Sequence, residues 1–564
     1  MTIHTYARNG ETNGVREELA SGVAVDTRDE YDFTPLAYAV SNPSVTIELL
    51  SLLFEAGADI DALVENGKTF PLTLAACSGN LEATRFLLNA GAAVNAKSPK
   101  GYTALVNSIY RLHDSDMLLS VLGELMSHGA DIDCETDYGE LPITVSTRLN
   151  RFDAVRQLLD AGANKEPLKW SRLAEAVAVG SVEEVAHVLQ SNGLDTTSGC
   201  FGLTPGLLAA TIGSVTKGQL LHTYGWNVNE QGRQKETALM CCASGNHCKM
   251  MAWLIEQNVE LDAVDDSKNT ALILAAQAGS ADCVHLLLKA GANPRLVNEY
   301  NETAMSNASS SEVVRLLQDM GEDLQCISTE MKRHFTGLTE HKSINATVSE
   351  YKNGKRPRFG KTNPQEFDDP FLRTMIRTGC SAYEARAQFG DTEDMNAPVW
   401  CFARFGCSFT ELPDGRFVQI GGEHEDHYDP DFCIYSDVIV HSGPDEFSIF
   451  GYPKDIFQPT DFHTATCVDQ YIYIVGCLGY HGTRKFGITP VYRLSCTDWS
   501  IEAVKTVGDN PGWIYEHSAR LAEPNILCIS GGKLVSEVSG EETHEDLEED
   551  YWLNLATMTW KRVN

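Results

Sequence analysis

Thr204, Thr237, Thr270 and Thr303 stand 33 residues apart, and each opens a similar phrase: TPGLLAA, TALMCCASG, TALILAAQAG and TAMSNAS. Three more openings lie upstream, TPLAYAV at Thr34, TFPLTLAACSG with Thr69 and TALVNSI at Thr103. About 20 residues after an opening comes a second phrase, written LLFEAGADID, LLNAGAAVNA, LMSHGADID, LLDAGAN and LLLKAGAN. A fixed period of this kind means stacked units, and it restricts the fold more tightly than composition does.

The physics of one unit can be read from Thr270 to Asn293. Small residues at Ala271, Ala275 and Ala276 let a short helix pack closely on a neighbour, and Gly279 stops it. A second helix carries Val284, Leu287 and Leu288 at helical spacing. Gly291 then ends it in the left-handed conformation that glycine enters cheaply. Two such helices cannot bury their apolar face alone, so units must stack.

The two phrases and their period resemble the ankyrin repeat over roughly residues 5–325, in about ten units. The first unit, Tyr6 to Asp29, lacks the opening phrase, and the unit from Trp170 to Gly193 has Ser171 at the threonine position. Small insertions fall near Ser41 and His113. The last unit is short and polar (SNASSSEV), as a cap facing water should be. The resemblance implies a solenoid whose inner helices and projecting turns grip a partner protein; it implies no catalysis. The variable turns are 28–33, 98–102, 229–235 and 296–302, and within them Tyr31, Tyr102, Arg233 and Tyr300 are the candidate partner contacts, because aromatic residues and Arg are enriched in binding hot spots.

Residues 331–361 break the pattern. Eight Lys and Arg face two Glu, a local charge of about +6, and GKRPRFGK reads as a flexible linker with turn formers, lying on the protein's own acidic surface. Two short helices follow. Asp369 caps the first, Pro370 suits its first position and Gly379 closes it; Ser381 and Glu384 form a capping box for the second.

A second period appears beyond residue 400. Gly421-Gly422, Gly476-Cys477 and Gly531-Gly532 are 55 residues apart, each after a strand-like run (RFVQI, YIYIV, NILCI) and before another (CIYSDVIV, PVYRLS, YWLNLA). His463 and His517 lie about 13 residues before the second and third pairs, with Cys407 or Ser408 at that place in the first. Trp499 and Trp560 follow on the outer strand, and EETHEDLEED (541–550) reads as an exposed loop. These units resemble kelch repeats, whose four-stranded blades build β-propellers. Gly476, Gly479 and Gly482 are then a blade turn and not a phosphate cradle, since a dinucleotide loop needs G-x-G-x-x-G opening a helix. Three blades are legible where closed propellers take about 4–8. The rest have diverged, or two copies complete a ring as a homodimer through the β domain.

The expected fold is multidomain α + β: an ankyrin-like α-solenoid over 1–325, a basic linker with two short helices over 326–395, and an all-β kelch-like propeller, whole or partial, over 396–564. A net charge of −34 repels nucleic acid and anionic membranes. No apolar run nears the ~20 residues of a membrane helix, and MTIHTYARNG has no signal-like apolar core. Sixteen scattered cysteines suit a reducing compartment, the cytoplasm. His424 and His427, amid five carboxylates in GGEHEDHYDPDF, are the only metal candidates; a solvated acidic loop is the simpler reading, and no cofactor is expected. The function expected is a protein–protein scaffold or adaptor. The alternative is a hydrolase or isomerase at the propeller mouth, which a deep pocket lined by His463, His517 and His424 would favour.

Overall fold

The computed structural model describes residues 2–338, 344–392, 396–424 and 431–563. The chain forms two compact units, Met1–Ala271 with Lys289–Ala292, and Leu272–Leu288 with Asn293–Asn564. Among the described residues no helix is long and apolar enough to cross a membrane.

The first unit is a run of helix pairs, from Ile3–Asn9 with Thr12–Ala20 to Ala238–Ser244 with Cys248–Glu256. The repeated threonine has a defined task. The hydroxyls of Thr34, Thr103, Thr204 and Thr237 accept the N–H three residues on, at 3.2 to 3.5 Å, and so cap the first helix. Pro35 and Pro205 follow at the first helical position, where a missing N–H costs nothing. Ser171 keeps the cap in its degenerate repeat. Thr69 stands one residue early, so Phe70 is the cap residue there and supplies no side-chain bond. The second helices bury pairs such as Leu49 with Leu50 and Leu87 with Leu88. The glycines after them, for example Gly57 and Gly91 at φ of 90° and 94°, have nothing within 4 Å of an added Cβ, so the left-handed backbone alone demands glycine.

In several repeats an acidic or amide residue at the end of the second phrase is a staple between repeats. Asp61 accepts the Ala93 N–H (3.0 Å), Asn95 that of Asp131 (2.7 Å), Asp133 that of Asn164 (2.9 Å) and Asn229 that of Glu260 (3.0 Å). Lys217, 7% exposed, is another inter-repeat tie. Its ammonium donates to the carbonyls of Val177 (2.7 Å) and Gly180 (2.8 Å) at the end of the Arg172–Val179 helix, where a cation meets the negative pole.

In the second unit the polar stretch of the last repeat meets solvent at Ser309 and Glu312, while the helix that follows also meets a sheet. Residues 304–307 form a turn, and only the Ser311–Asp319 helix remains. Arg315 and Gln318 of that helix bond the Glu411 carboxylate (3.0 and 3.2 Å), and Gln325 donates to the His463 carbonyl.

The basic segment is not a flexible linker. It folds as Thr329–Thr336, Val348–Gly354, Pro370–Thr378 and Ala382–Phe389. Tyr351, Phe371, Met375 and Ala385 share one core with Trp400, Phe402, Ile439 and Phe447. Gln365–Glu366 joins a sheet by pairing with Glu446–Gly451. The basic side chains are used within the fold: Lys355 pairs with Asp391 (2.6 Å), Arg358 with Asp369 (2.8 Å), and Arg333 donates to the carbonyls of Ile376 and Arg377 at a helix end. The expected caps are present, with Asp369 accepting from Phe371 and Leu372, Gly379 left-handed, and Ser381 and Glu384 bonding reciprocally.

Three four-stranded antiparallel meanders follow. They are Ser408–Glu411, Phe417–Ile420, Val438–Gly443 and Glu446–Gly451; then Thr464–Val468, Tyr471–Val475, Val491–Ser495 and Ile501–Ala503; then Ser518–Glu523, Ile526–Ser530, Asp550–Asn554 and Thr559–Val563. Two features depart from the sequence reading. Residues 541–546 are not a loop but an exposed strand, Glu541–Asp546, paired with Lys533–Val538. Trp499 lies in the turn before its outer strand, where it stacks on Phe450 of the first sheet. The glycine pairs permit close backbone approach: an added Cβ would lie 2.2 Å from the Thr460 carbonyl at Gly421, 2.5 Å from that of Ile514 at Gly476 and 2.5 Å from that of Tyr515 at Gly532. The Gly479 N–H donates to the Asp461 carboxylate (2.6 Å), so the protein's own acid occupies the turn.

Arg404 anchors the first sheet. Its side chain is fully buried and paired with Asp437. It donates to the carbonyls of Cys401 (2.9 Å) and Gly421 (3.1 Å), and it lies 3.6 Å from the Tyr435 ring centre. Trp400 adds an indole N–H to Asp437 (2.7 Å). Burial lowers the basicity of the guanidinium, but Asp437 more than offsets this and its pKa is raised. Asp437→Asn is expected to cost about 3–5 kcal/mol by stranding a buried charge, and Arg404→Met with Asp437→Leu to recover most of it. Urea denaturation of the full chain reads both; a single-variant loss below about 1 kcal/mol would contradict this account.

Candidate protein-binding surface

Seven repeats project a turn closed by one backbone bond, from the N–H of its first residue to the carbonyl of its fifth. The pairs are Asp29 to Phe33, Ser98 to Tyr102, Thr136 to Glu140, Gly199 to Leu203, Gly232 to Glu236 and Asp265 to Asn269 in the first unit, and Asn298 to Glu302 in the second, at 2.9 to 3.2 Å. Successive turns are also tied, Asp137 N–H to the Lys100 carbonyl (3.0 Å) and Asp266 N–H to the Gln234 carbonyl (2.9 Å). The turns of one unit are thus held in register.

That register sorts the candidate residues. The third position points outward and holds Tyr31, Tyr138, Phe201 and Tyr300, which are 60%, 62%, 39% and 72% exposed. Tyr102 sits at the fifth position and is half-buried. Its hydroxyl donates to Glu140 (3.2 Å), which also binds Tyr110 and Arg148 (both 2.8 Å). Burial and Glu140 push the Tyr110 hydroxyl up to about 12. Arg233 is at the second position, exposed, with its backbone against Gly202 of the preceding turn. Tyr31, Tyr102 and Arg233 belong to the first unit and Tyr300 to the second. Reading by residue type overlooked Tyr138 and Phe201. Counting from the turn-opening residue finds them, since Tyr138 follows Thr136 as Tyr31 follows Asp29.

Residues 72–169, 173–265 and 247–327 match the family model for ankyrin repeats. This part of the chain is built of ankyrin repeats. The chain is 27% identical over 332 residues to "Ankyrin repeat and KH domain-containing protein mask-1" of Caenorhabditis elegans, covering 57% of this chain and 12% of that protein. It is 24% identical over 262 residues to "Ankyrin repeat protein nuc-2" of Neurospora crassa, covering 45% and 24%. With "Ankyrin repeat domain-containing protein M-T5" of Myxoma virus it shares 23% identity over 310 residues, 53% of this chain and 56% of that one. It therefore spans less than a quarter of the first two and about half of the third.

Beyond the ankyrin repeats, two histidines of the β region join sheets. His463 is fully buried, with Nε2 2.9 Å from the Ser408 hydroxyl of the first sheet. His517 reaches the Thr464 hydroxyl of the second sheet at 3.0 Å. The cavity beside the second sheet, lined by Thr460, Cys477, Gly479, Tyr492 and Trp513, measures about 10 Å³, room for one water at most. His424 is buried on a two-stranded ribbon with Cys433, and His427 lies outside the described residues. Among the described residues no group of three or more His, Cys, Asp or Glu could hold a metal ion.

Burial holds His441, His463 and His517 down to about 3. An unfolded histidine takes up its proton near 6.5, so between pH 6.5 and about 3 the unfolded chain binds more protons, and stability falls as pH drops through that window. At pH 5.5 the loss is about 1.4 kcal/mol per histidine. His463→Gln is expected to remove about a third of the part of the pH 7.5-to-5.5 stability loss that these three histidines cause. An unchanged slope in urea titrations at the two pH values would show that His463 is not buried neutral.

Proposed function

We propose that this protein is an adaptor that binds other proteins through the aromatic tips of its ankyrin turns, with the β region as a second surface. The observation that carries this reading is the third tip position, where four aromatic side chains stand 39–72% exposed on turns fixed by backbone bonds. A large ring on a rigid turn loses little entropy when it is buried by a partner, and such residues dominate interface energies. The charge of −34 favours basic or neutral partners over nucleic acid and anionic membrane. None of the sixteen cysteines is in a disulfide among the described residues, which supports a cytoplasmic setting. The three meanders, 55 residues apart and linked through His463 and His517, support a kelch-like partial propeller, and two copies would bring six such sheets together.

The full chain, used as bait in cell extract, identifies the partner, and titration with the purified partner tests the surface. Tyr31→Ala, Tyr138→Ala and Tyr300→Ala should leave the melting temperature within about 2 °C, as exposed substitutions do. At least one should weaken binding by about tenfold or more. Tyr383→Ala, 76% exposed but outside the turns, is the control. Equal affinity for all four variants would exclude the tips as the binding surface.

A further inference from the structure

One buried lysine of the second unit has a thiol where an acid would be expected. Lys332 lies on the Thr329–Thr336 helix and is 8% exposed. Among the described residues no carboxylate pairs with it. Its Nζ donates instead to the Cys407 sulfur at 3.5 Å, with the Phe409 ring centre 5.9 Å away. Cys407 is 4% exposed, and its thiol donates to the Arg404 carbonyl (3.5 Å). The neighbouring Ser408 is engaged by His463, so Cys407 alone is left to the lysine. An ammonium is costly to bury without a carboxylate, and a thiol is a weak acceptor. Packing gives no reason for this pairing, but the chemistry of sulfur and nitrogen gives one.

We propose that Lys332 and Cys407 form a reversible oxidation site, which hydrogen peroxide closes to a sulfur–nitrogen cross-link, a sulfenamide. The Cys407 sulfur takes one oxygen of the peroxide. The O–O bond breaks, a sulfenic acid forms, and the other oxygen leaves as water with the thiol proton. Lys332 gives one ammonium proton to solvent, and its nitrogen lone pair attacks the sulfenic sulfur. The S–N bond forms as the S–O bond breaks, and the hydroxide leaves as water with a second proton from the nitrogen. The sulfur loses two electrons, and the peroxide gains them. A dithiol reverses the bond, returning amine and thiol and itself becoming a disulfide. Sulfenic acids condense with a nitrogen held within reach, and here the nitrogen already touches the sulfur. Near-complete burial keeps out bulky thiols and large hydroperoxides, so the oxidant is the water-sized one and the resolving group is the amine in place. The bond would tie the helix that follows the last repeat to the entrance of the first sheet.

Hydrogen peroxide added to the folded full chain, followed by alkylation in urea, chymotrypsin and mass spectrometry, tests the site. The expected product is a peptide pair joined through Lys332 and Cys407, lighter than the separate peptides by two hydrogens. Alkylation of Cys407 should be lost with it and regained after dithiothreitol. Oxidation of the chain already unfolded in urea should give no such pair. In Lys332→Arg, which keeps the charge, the cross-link should vanish, and dimedone added with urea should capture Cys407 as a sulfenic acid. The proposal fails if Cys407 stays fully alkylated while other thiols oxidise, if it joins a second cysteine instead, or if the unfolded chain yields the same pair as readily. The wild-type mapping decides the matter even where the variant does not fold.

Discussion

One hydrogen bond, repeated, sets the working face of the ankyrin part. A side-chain oxygen at the end of one repeat accepts a backbone N–H near the end of the next repeat's matching phrase, as Asp61 does from Ala93 and Asn95 from Asp131. Leucine and alanine packing would tolerate small slips between neighbouring helix pairs. A directed bond of 2.7 to 3.0 Å at the base of each turn does not. The turns above therefore stand in a common register, and only in a common register do residues such as Tyr31 and Tyr138 hold equivalent places.

Much of this was legible because the repeat repeats its reasons. Glycine in the left-handed backbone is a local rule, and a period of 33 residues states it several times over; the threonine cap and the Asp or Asn staple came to light only in the structure. The caps at Asp369 and Ser381 were legible on the same local grounds. What was hidden is what depends on partners distant in the chain. The basic residues of 331–361 looked solvated because the acids and carbonyls that receive them, such as Asp391 and those of Ile376 and Arg377, are far along the sequence. Tyr351 and Ile344 showed no period, and only the fold reveals them as core. Tyr138 was hidden for another reason: its meaning lies in its position within a turn, not in its type.

In the β region the histidines illustrate how one residue type serves opposite ends. Spacing placed His463 and His517 at matching points, which is compatible with either a site or a joint. Burial decides between these, because an imidazole sealed from water and bonded to a neighbouring sheet's hydroxyl has neither the access nor the basicity to exchange protons with a substrate at neutral pH. The buried Arg404–Asp437 pair is a joint of the same sort, made from ions. Tyrosine, tryptophan and backbone carbonyls surround the ions so that neither is left bare.

The docking of the last repeat through Arg315, Gln318 and Gln325 has a bearing on how such a chain changes its length. In an open array, copies can be gained or lost at either end, since each unit touches only its neighbours. Here the final position is taken. A duplicated repeat placed after Asp319 would have to reproduce contacts that only this helix makes with Glu411, whereas one inserted upstream needs only the common staple and cap. Gain and loss of repeats is thus closed off at this end of the array, and the repeat beside the sheets is the one whose sequence is least free to converge on the rest.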